Sequence, residues 1–162
     1  MRIHDLKIAE TSHDDRENAL KFLKENHTMV LATVSHDGMP HAATVYYMVD
    51  ENFDLYFSTG EETKKFLNIK DNSNVALVVG TGPDIKTIQG GGKAEWIIEG
   101  QDEIMIRLGK NFNLKQSPFW PIVALQHKRI ALMKINVKWM TFLHVFLEDE
   151  KYVEKKCKVF PK

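Results

Sequence analysis

The sequence predicts a mainly β protein with a few α-helices, built as a small antiparallel barrel of about six strands. Three observations support this fold class. Short segments rich in β-forming residues follow one another along the chain of 162 residues. Turn-forming residues separate them, and the Asp37-Gly38 dipeptide is a strong hairpin signal. Helical patterns are few and short, so we expect the helices to cap the barrel.

The first elements are predicted to be a helix and three strands. Residues 1–11 are expected to form a loose N-terminal arm. The next segment, His13–Asn26, carries its apolar residues on one helical face. Three strands in a tight antiparallel meander are then predicted at Thr28–Ser35, His41–Asp50 and Phe53–Ser58.

The remaining elements are further strands and two helices. The predicted helices are Glu62–Ile69 and Asp102–Leu108, and the predicted strands are Val75–Val79, Ile85–Glu99, Arg129–Asn136 and Val137–Leu147. Three glycines interrupt the longest of these strands, which is typical of a bulge where a barrel bends. A loop is expected over Lys110–Pro121, and Glu148–Lys162 is expected to be a solvated, charged tail. No repeat or linker divides the chain, so residues 1–162 are expected to form one domain.

Composition and charge exclude several function classes. Lys plus Arg and Asp plus Glu number 22 each, so the zero net charge gives no general attraction to nucleic acid or to an anionic membrane. The single cysteine, Cys157, excludes an intramolecular disulfide and a cysteine-based metal cluster. The seven histidines show no metal-binding spacing, so no metal site is expected. No signal-peptide pattern or membrane-spanning apolar run is found, and we therefore expect a cytoplasmic protein.

One stretch, Leu55–Lys70, has the composition of a phosphate site. A strand ends at Ser58-Thr59-Gly60, and the following helix is predicted to carry Thr63, Lys64 and Lys65 in its first turn. Hydroxyl and ammonium groups at a helix N-terminus suit a phosphate, because the first backbone N–H groups are free and the dipole end is positive. The same residues are also ordinary turn and capping chemistry, and taken alone they favour that interpretation.

Four segments, in this order and spacing, carry a resemblance to a known family. They are the first hairpin Leu31–His41, the next strand Ala42–Tyr47, the stretch Leu55–Ile69, and Asn74–Val78 leading to Gly92–Glu95. Together they cover about residues 12–99, and they resemble the pyridoxamine 5′-phosphate oxidase-like FMN-binding split-barrel superfamily. The similarity is greatest to its small stand-alone members, called general stress protein 26-like. The C-terminal third matches only through the aromatic residue Trp139.

The resemblance implies an FMN-binding homodimer with its two cofactor sites at the subunit interface. It assigns the phosphate to hydroxyl and basic residues, here Ser58, Thr59, Thr63, Lys64 and Lys65. It assigns the edge of the isoalloxazine ring to backbone groups of the second strand, here Ala43, Thr44, Val45 and Tyr46. Two further contacts are expected, from Gln89 on the long strand and from Trp120 of the partner chain. We also expect Glu61 and Glu62 to face solvent while Thr63 and Lys64 turn inward.

Two departures from the family pattern argue against oxidation of vitamin B6 as the activity. The end of the chain lacks the Arg-x-His pair that true pyridoxamine phosphate oxidases use for pyridoxal phosphate. Their second strand also begins with an arginine that contacts the flavin phosphate, and Ala43 stands at that place.

Three functions therefore remain open at the level of sequence. The first is an FMN-dependent oxidoreductase acting on an unidentified small molecule, with Tyr46, Tyr47 and His41 near the ring but no catalytic residue assigned. The second is a non-catalytic flavin-binding or stress-response module. The third is binding of the deazaflavin F420 or of haem, for which His41, His127 or His144 would be the conceivable iron ligands.

Overall fold

The computed structural model describes residues 13–80, 86–104, 106, 129–148 and 151–160. Two helices, α1 (His13–Glu25) and α2 (Lys64–Asp71), accompany eight strands, and residues 101–104 and 106 are also helical. The strands are β1 (Thr28–Val34), β2 (Pro40–Tyr46), β3 (Met48–Val49), β4 (Leu55–Gly60), β5 (Asn74–Val79), β6 (Lys86–Ile97), β7 (Ile130–Glu148) and β8 (Lys151–Phe160). None of these described helices has the length and apolarity that crossing a membrane requires.

All strands belong to one antiparallel sheet that curls into a split barrel. The strand order is β2-β1-β5-β6-β7-β4-β3, and β8 pairs with β7 beside this path. β2 and β3 follow each other in the chain but stand at opposite ends of the order, so the sheet must curl until its ends meet. β2 then contacts β4 without a ladder of hydrogen bonds between them. The predicted antiparallel split barrel is confirmed, with eight strands instead of about six.

The predicted meander of three strands was wrong in one detail, because its second strand divides at Tyr47. The part before Tyr47 pairs with β1 and the part after it pairs with β4. Tyr47 is 1% exposed, and its hydroxyl donates to the carbonyl of Leu23 at 2.8 Å. Leu23 lies in the last turn of α1, where carbonyl groups lack a partner within the helix. Tyr47 therefore caps α1 at the point where the chain crosses from one end of the sheet to the other.

The C-terminal segment is a strand, so the prediction of a solvated tail was wrong for Lys151–Phe160. Cys157 and Val159 are each 1% exposed, whereas Lys158 between them is exposed. This alternation is that of a half-buried strand, and the lysines on the outer side concealed it in the composition. Arg16 of α1 donates to the carbonyl of Val159 at 3.0 Å and helps to fix β8. The two predicted closing strands are likewise one continuous strand, β7.

A β-bulge is present at the predicted glycines, but its extra residue, Lys138, belongs to the partner strand β7. The register of β6 against β7 shifts between Gly91, which pairs with Trp139, and Gly92, which pairs with Val137. A Cβ atom on Gly92 would lie 2.1 Å from the carbonyl oxygen of Asn136, so a side chain there is sterically excluded. The bulge therefore depends on glycine at this position.

Side chains fill the interior of the barrel, which leaves no room there for a large ligand. Leu31, Leu77, Ile88, Met133 and Phe57 are among its fully buried residues. A second, smaller apolar cluster lies apart from this core and consists of Met48 and Leu132 with Tyr46, Tyr56, Ile97 and Ile104. A cofactor would consequently have to bind on the outside of the barrel or at its seam.

Candidate functional site

The junction between β4 and α2 holds a chain of hydroxyl groups. Thr63 is the N-cap of α2, and its Oγ1 accepts from the amide of Phe66 at 3.4 Å and donates to the carbonyl of Gly60 at 2.8 Å. Because that proton is committed to Gly60, Thr59 is the donor in the 2.9 Å contact between the Thr59 and Thr63 hydroxyls. Lys65 Nζ in turn donates to Thr59 Oγ1 at 3.4 Å. The capping interpretation of Thr63 is thus correct, and it coexists with an ammonium group beside the cap.

Lys65 is the cation of this junction. Its side chain is half-buried, and burial lowers the pKa of its ammonium group. Among the described residues, its hydrogen-bond partner is the Thr59 hydroxyl, and none of the ion pairs found there includes Lys65. The backbone amides of Lys64 and Lys65 also have no acceptor in the described part of the chain. An anion at this place would accept hydrogen bonds from backbone N–H groups and from one partly desolvated ammonium group.

The neighbouring charged residues differ in part from expectation. Glu62 is exposed as expected, but Glu61 is half-buried, with its amide donating to the carbonyl of Arg129 at 3.1 Å. Thr63 turns inward as expected, whereas Lys64 is exposed and Lys65 takes the inward place. The cause is the phase of the helix, because Lys65 precedes the buried Ile69 by four residues and shares its face.

Ser58 lies on the other side of β4 from the hydroxyl chain. Leu55, Phe57 and Thr59 are buried toward the core, while Tyr56 and Ser58 point the opposite way. The structure therefore brings together Thr59, Thr63 and Lys65 of the predicted phosphate residues, and it leaves the Ser58 side chain apart from them.

The seam of the barrel runs beside this junction. β2 pairs with β1 on one edge, and within the described residues its other edge has no strand partner. Ala43, Thr44, Val45 and Tyr46 lie on this edge, as the predicted contact of the flavin ring requires. β2 contacts both β4 and α2, so its free edge lies beside the two elements that carry Thr59 and Lys65. The Val45 side chain is buried in the core, and Tyr46 packs in the second apolar cluster.

A buried polar group lies between β2 and α2. Asn68 of α2 is 8% exposed and donates from Nδ2 to Thr33 Oγ1 at 3.0 Å. Thr33 pairs with His41 across the β1–β2 hairpin and donates to the His41 carbonyl at 3.5 Å. The Nδ1 atom of His41 is buried and has no hydrogen-bond partner. The site residues predicted from the sequence did not include Asn68. An amide residue on the buried face of the first two turns of α2 could have indicated it.

Gln89 lies away from the junction, on the outer face of the sheet. It is exposed and pairs with Val78 and Thr141. Thr141 is ten residues along β7 from Ala131, the partner of Thr59, and this corresponds to roughly 30 Å of strand. The register therefore places Gln89 on another face and another part of the sheet than Thr59, and its contact with the cofactor stays a prediction.

The outer face around Gln89 is apolar and built of small residues. Adjacent strands align Ala42, Ala32, Ala76, Gly91 and Trp139 in one row. The next row aligns Thr44, Val30, Val78 and Gln89. A shallow cavity of about 170 Å³ lies over these rows.

Trp139 is the largest side chain of this outer face and lies over Gly91. A Cβ atom on Gly91 would be 2.5 Å from the indole Nε1, so the ring occupies the space that glycine leaves. The indole is nevertheless 45% exposed. Trp120 and His127 lie outside the described residues, so their predicted roles stay predictions.

The remaining candidate side chains have structural roles. Burial raises the pKa of the Tyr47 hydroxyl, which is committed to Leu23 and remains protonated. His144 is half-buried and stacks against Phe142, with ring centroids 6.4 Å apart. Within the residues that the structure describes, no group of three or more His, Cys, Asp or Glu side chains could hold a metal ion.

The donor set at the junction fits a phosphate monoester. Lys65 and the two free helix amides lie at this junction, the Thr59 hydroxyl accepts from Lys65 and donates to Thr63, and the exposed Lys64 adds charge nearby. The free edge of β2 offers backbone donors and acceptors to a flat polar ring beside that phosphate. The chemistry of both parts agrees with a nucleotide-like cofactor lying along the seam.

Comparisons with known proteins agree with this fold. General stress protein 26 from Bacillus anthracis is 26% identical, with a TM-score of 0.58 and coverage of 85% of this chain and 96% of that chain. A protein related to general stress protein 26 from Clostridium acetobutylicum is 12% identical, with a TM-score of 0.62 and coverage of 90% and 96%. A pyridoxamine 5′-phosphate oxidase-related, FMN-binding protein from Nostoc punctiforme is 12% identical, with a TM-score of 0.56 and coverage of 89% and 95%.

The two structures with 12% identity show similarity of fold alone. Curated proteins include no match to the chain. The family model described as pyridoxamine 5′-phosphate oxidase matches residues 16–144, which is most of the chain. The chain therefore belongs to the pyridoxamine 5′-phosphate oxidase family.

Proposed function

We propose that the protein binds FMN, with the phosphate at Thr59, Thr63 and Lys65 and the ring along the free edge of β2. The observation that carries the proposal is the half-buried Lys65 ammonium group, which has a hydroxyl partner and two free helix amides beside it. A phosphate dianion would compensate the Lys65 ammonium group for the hydration that it loses on burial. The FMN-binding relative from Nostoc punctiforme has the same fold and supports the choice of flavin.

The cofactor site would be completed by a second copy of the chain. Gln89 lies on the opposite face of the sheet from Thr59, and it stands on an exposed apolar face together with Trp139. Small residues in neighbouring rows make this face suitable for close packing of two sheets. We propose a homodimer in which each outer face brings Gln89 and Trp139 toward the flavin of its partner. Trp120 remains a predicted contribution from the partner chain.

The activity we propose is that of a flavin-dependent oxidoreductase acting on a small molecule. FMN, when bound, supplies hydride or electron transfer, and the protein supplies position and electrostatics. A non-catalytic flavin-binding module is the alternative. It is favoured by the committed hydroxyl of Tyr47 and the packed ring of Tyr46, which leave no tyrosine free as an acid or base among the described residues at the seam.

Absorption spectroscopy of the purified protein, with FMN added and unbound flavin removed, tests the proposal. Flavin bands at one FMN per chain are expected, together with a dimer in sedimentation analysis. A Soret band would indicate haem. Retention of a deazaflavin but not of FMN would also contradict the assignment, and a colourless protein with no measurable affinity for FMN would refute it. Bleaching of the bound flavin by NADH or NADPH, followed by reoxidation with turnover, would favour the enzyme over the binding module.

A further inference from the structure

A cavity lies between α1 and the neighbouring parts of β6, β7 and β8, and none of its described lining residues belongs to the β4–α2 junction or to β2. Its volume of about 240 Å³ suits a molecule with a single ring better than a nucleotide. We call it the α1 cavity, and its lining includes Asp15, Phe22, Lys86, Phe142, His144 and Cys157. The α1 cavity is therefore a candidate site for a second, smaller ligand.

The buried part of this lining consists of apolar groups and one carboxylate. The rings of Phe22 and Phe142 have their centroids 5.4 Å apart, and Cys157 pairs with Phe142 across the β7–β8 ladder. Asp15 is 5% exposed and stands in the first turn of α1, where the helix dipole favours a negative charge. The buried part of the α1 cavity thus offers two aromatic rings and an acceptor of hydrogen bonds.

The rim of the α1 cavity carries positive charge. Lys86 is exposed and stands directly opposite His144 in the register of β6 and β7, so the two side chains are neighbours. Among the described residues, no hydrogen bond or ion pair of the Lys86 ammonium group is found. The other lysine of the rim, Lys21, lies 3.9 Å from Glu25, and these two charges balance each other. Lys86 is therefore the cation that the rim offers to a ligand.

The ammonium group and the buried carboxylate belong to different ends of the α1 cavity. The Phe22 ring lies beside the backbone of Lys86, because a Cβ atom on Gly80 would be 2.7 Å from Phe22 Cζ and 2.5 Å from the Lys86 carbonyl oxygen. Asp15 precedes Phe22 by seven residues, which is about 10 Å along the helix axis. A ligand that reaches both groups must therefore be elongated, with an anionic group at one end and a hydrogen-bond donor at the other.

We propose that the α1 cavity binds a small aromatic carboxylate that carries a hydrogen-bond donor at the end opposite its carboxylate. The carboxylate of the ligand would accept from the Lys86 ammonium group, and its ring would pack against Phe22 and Phe142. Its donor would reach Asp15, whose negative charge repels the carboxylate and so sets the direction of binding. This inference does not rest on the binding of FMN, because the two sites have no residue in common.

Calorimetric titration of the purified protein with 4-hydroxybenzoate tests the proposal, and two analogues each lack one of its polar groups. 4-Hydroxybenzoate is expected to bind with a Kd of about 1 mM or below. Benzoate, which lacks the donor, and 4-hydroxybenzamide, which lacks the charge, should each bind about threefold to tenfold more weakly. Absence of 4-hydroxybenzoate binding up to about 10 mM, or equal affinity for all three compounds, would overturn the proposal.

Replacement of Lys86 by methionine tests the cation of the rim. Because Lys86 is exposed, Lys86→Met leaves the core intact, and it should weaken 4-hydroxybenzoate about threefold to tenfold without affecting 4-hydroxybenzamide. Lys24→Met is the matched control, because Lys24 lies on α1 outside the cavity and pairs with Glu51. Equal losses in the two variants, or a loss for the amide as well, would overturn the assignment of Lys86.

The ratio of two affinities tests the buried end of the cavity. Asp15→Ala should bind 4-hydroxybenzoate and benzoate equally, and this ratio does not depend on how much stability the variant loses. An unchanged preference for 4-hydroxybenzoate would exclude Asp15, and the wild-type comparison of the same two compounds decides the case if the variant does not fold. Competition between 4-hydroxybenzoate and FMN would place the probe at the flavin site and overturn the proposal. Failure of the wild type to bind FMN would overturn the proposed function alone.

Discussion

Replacement of Lys65 by methionine is the sharpest test of the phosphate site. The substitution keeps the length and apolar part of the side chain and removes the ammonium group that lies 3.4 Å from Thr59 Oγ1. A charge-assisted hydrogen bond contributes about 1.5–3 kcal/mol. We therefore expect the Kd for FMN to rise about tenfold to a hundredfold. Titration of flavin fluorescence with apoprotein measures this change.

The neighbouring lysine provides the matched control. Lys64 is exposed, so Lys64→Met should change the Kd for FMN by about twofold, as is typical of a solvated charge. Riboflavin lacks the phosphate, and its affinity should be the same for Lys65→Met and wild type. Equal losses in the two lysine variants, or an equal loss for riboflavin, would refute the assignment of Lys65 to the phosphate.

The stability of the apoprotein provides a second check on Lys65. Burial lowers the pKa of its ammonium group, so the charged form is disfavoured in the folded state relative to the unfolded chain. Below the lowered pKa this group therefore destabilises the fold, and the deficit disappears as pH rises toward the unfolded value of about 10.4. Lys65→Met should unfold at the same temperature as wild type or higher at neutral pH. A large fall would mean that the lysine has a structural role.

Three further outcomes follow from Tyr47 and Gly91. Tyr47→Phe removes the donor to the Leu23 carbonyl and should lower the free energy of unfolding by about 1–2 kcal/mol, as measured by urea denaturation. Burial raises the pKa of Tyr47, so the tyrosine ionises at a lower pH in the unfolded chain than in the folded one. Wild type should therefore lose stability as pH rises above about 10, and Tyr47→Phe should not show this loss. Parallel pH profiles of the two proteins would contradict this expectation. Gly91→Ala places a Cβ 2.5 Å from the Trp139 indole, so it should shift tryptophan emission and weaken the proposed dimer in sedimentation analysis. An unchanged dimer would argue against the outer face as the interface.

The sequence was sufficient for the elements whose signals are local. The turn at Asp37-Gly38 is confirmed, with Gly38 at a φ of +83° and the Ser35 amide donating to the Met39 carbonyl. The contiguous glycines likewise marked the place of the bulge, although its extra residue lies on β7. The strand-to-helix junction was also located correctly, since a strand end and a helix cap both depend on nearby residues.

Features that depend on distant contacts could not be predicted. The break at Tyr47 depends on α1, because the tyrosine is drawn to the carbonyl of Leu23, 24 residues earlier. β8 forms only by pairing with β7. The composition of the segment by itself, which is rich in lysine, therefore suggested a solvated tail. The inward position of Lys65 instead of Lys64 depends on how α2 packs on the core, and one residue along a helix corresponds to a rotation of about 100°.

The separation of Gln89 from Lys65 is a property of topology. Gln89 lies on the outer face of β6, whereas Lys65 lies on α2 beside the inward-facing Thr59. Sequence spacing carries no information about which copy of a chain supplies a side chain. The homodimer that would bring Gln89 to the flavin of its partner is our proposal.

The unpaired edge of β2 also affects how the apoprotein behaves at high concentration. An exposed strand edge can pair with another chain and so promote aggregation, and natural proteins limit this risk with short edges and proline. β2 has seven residues and begins with Pro40, which has no amide hydrogen to donate. A flavin ring lying along the remaining edge would act as a protective cover, in the place where a further strand would otherwise stand. Loss of the cofactor would then lead to aggregation of the protein before the barrel itself unfolds.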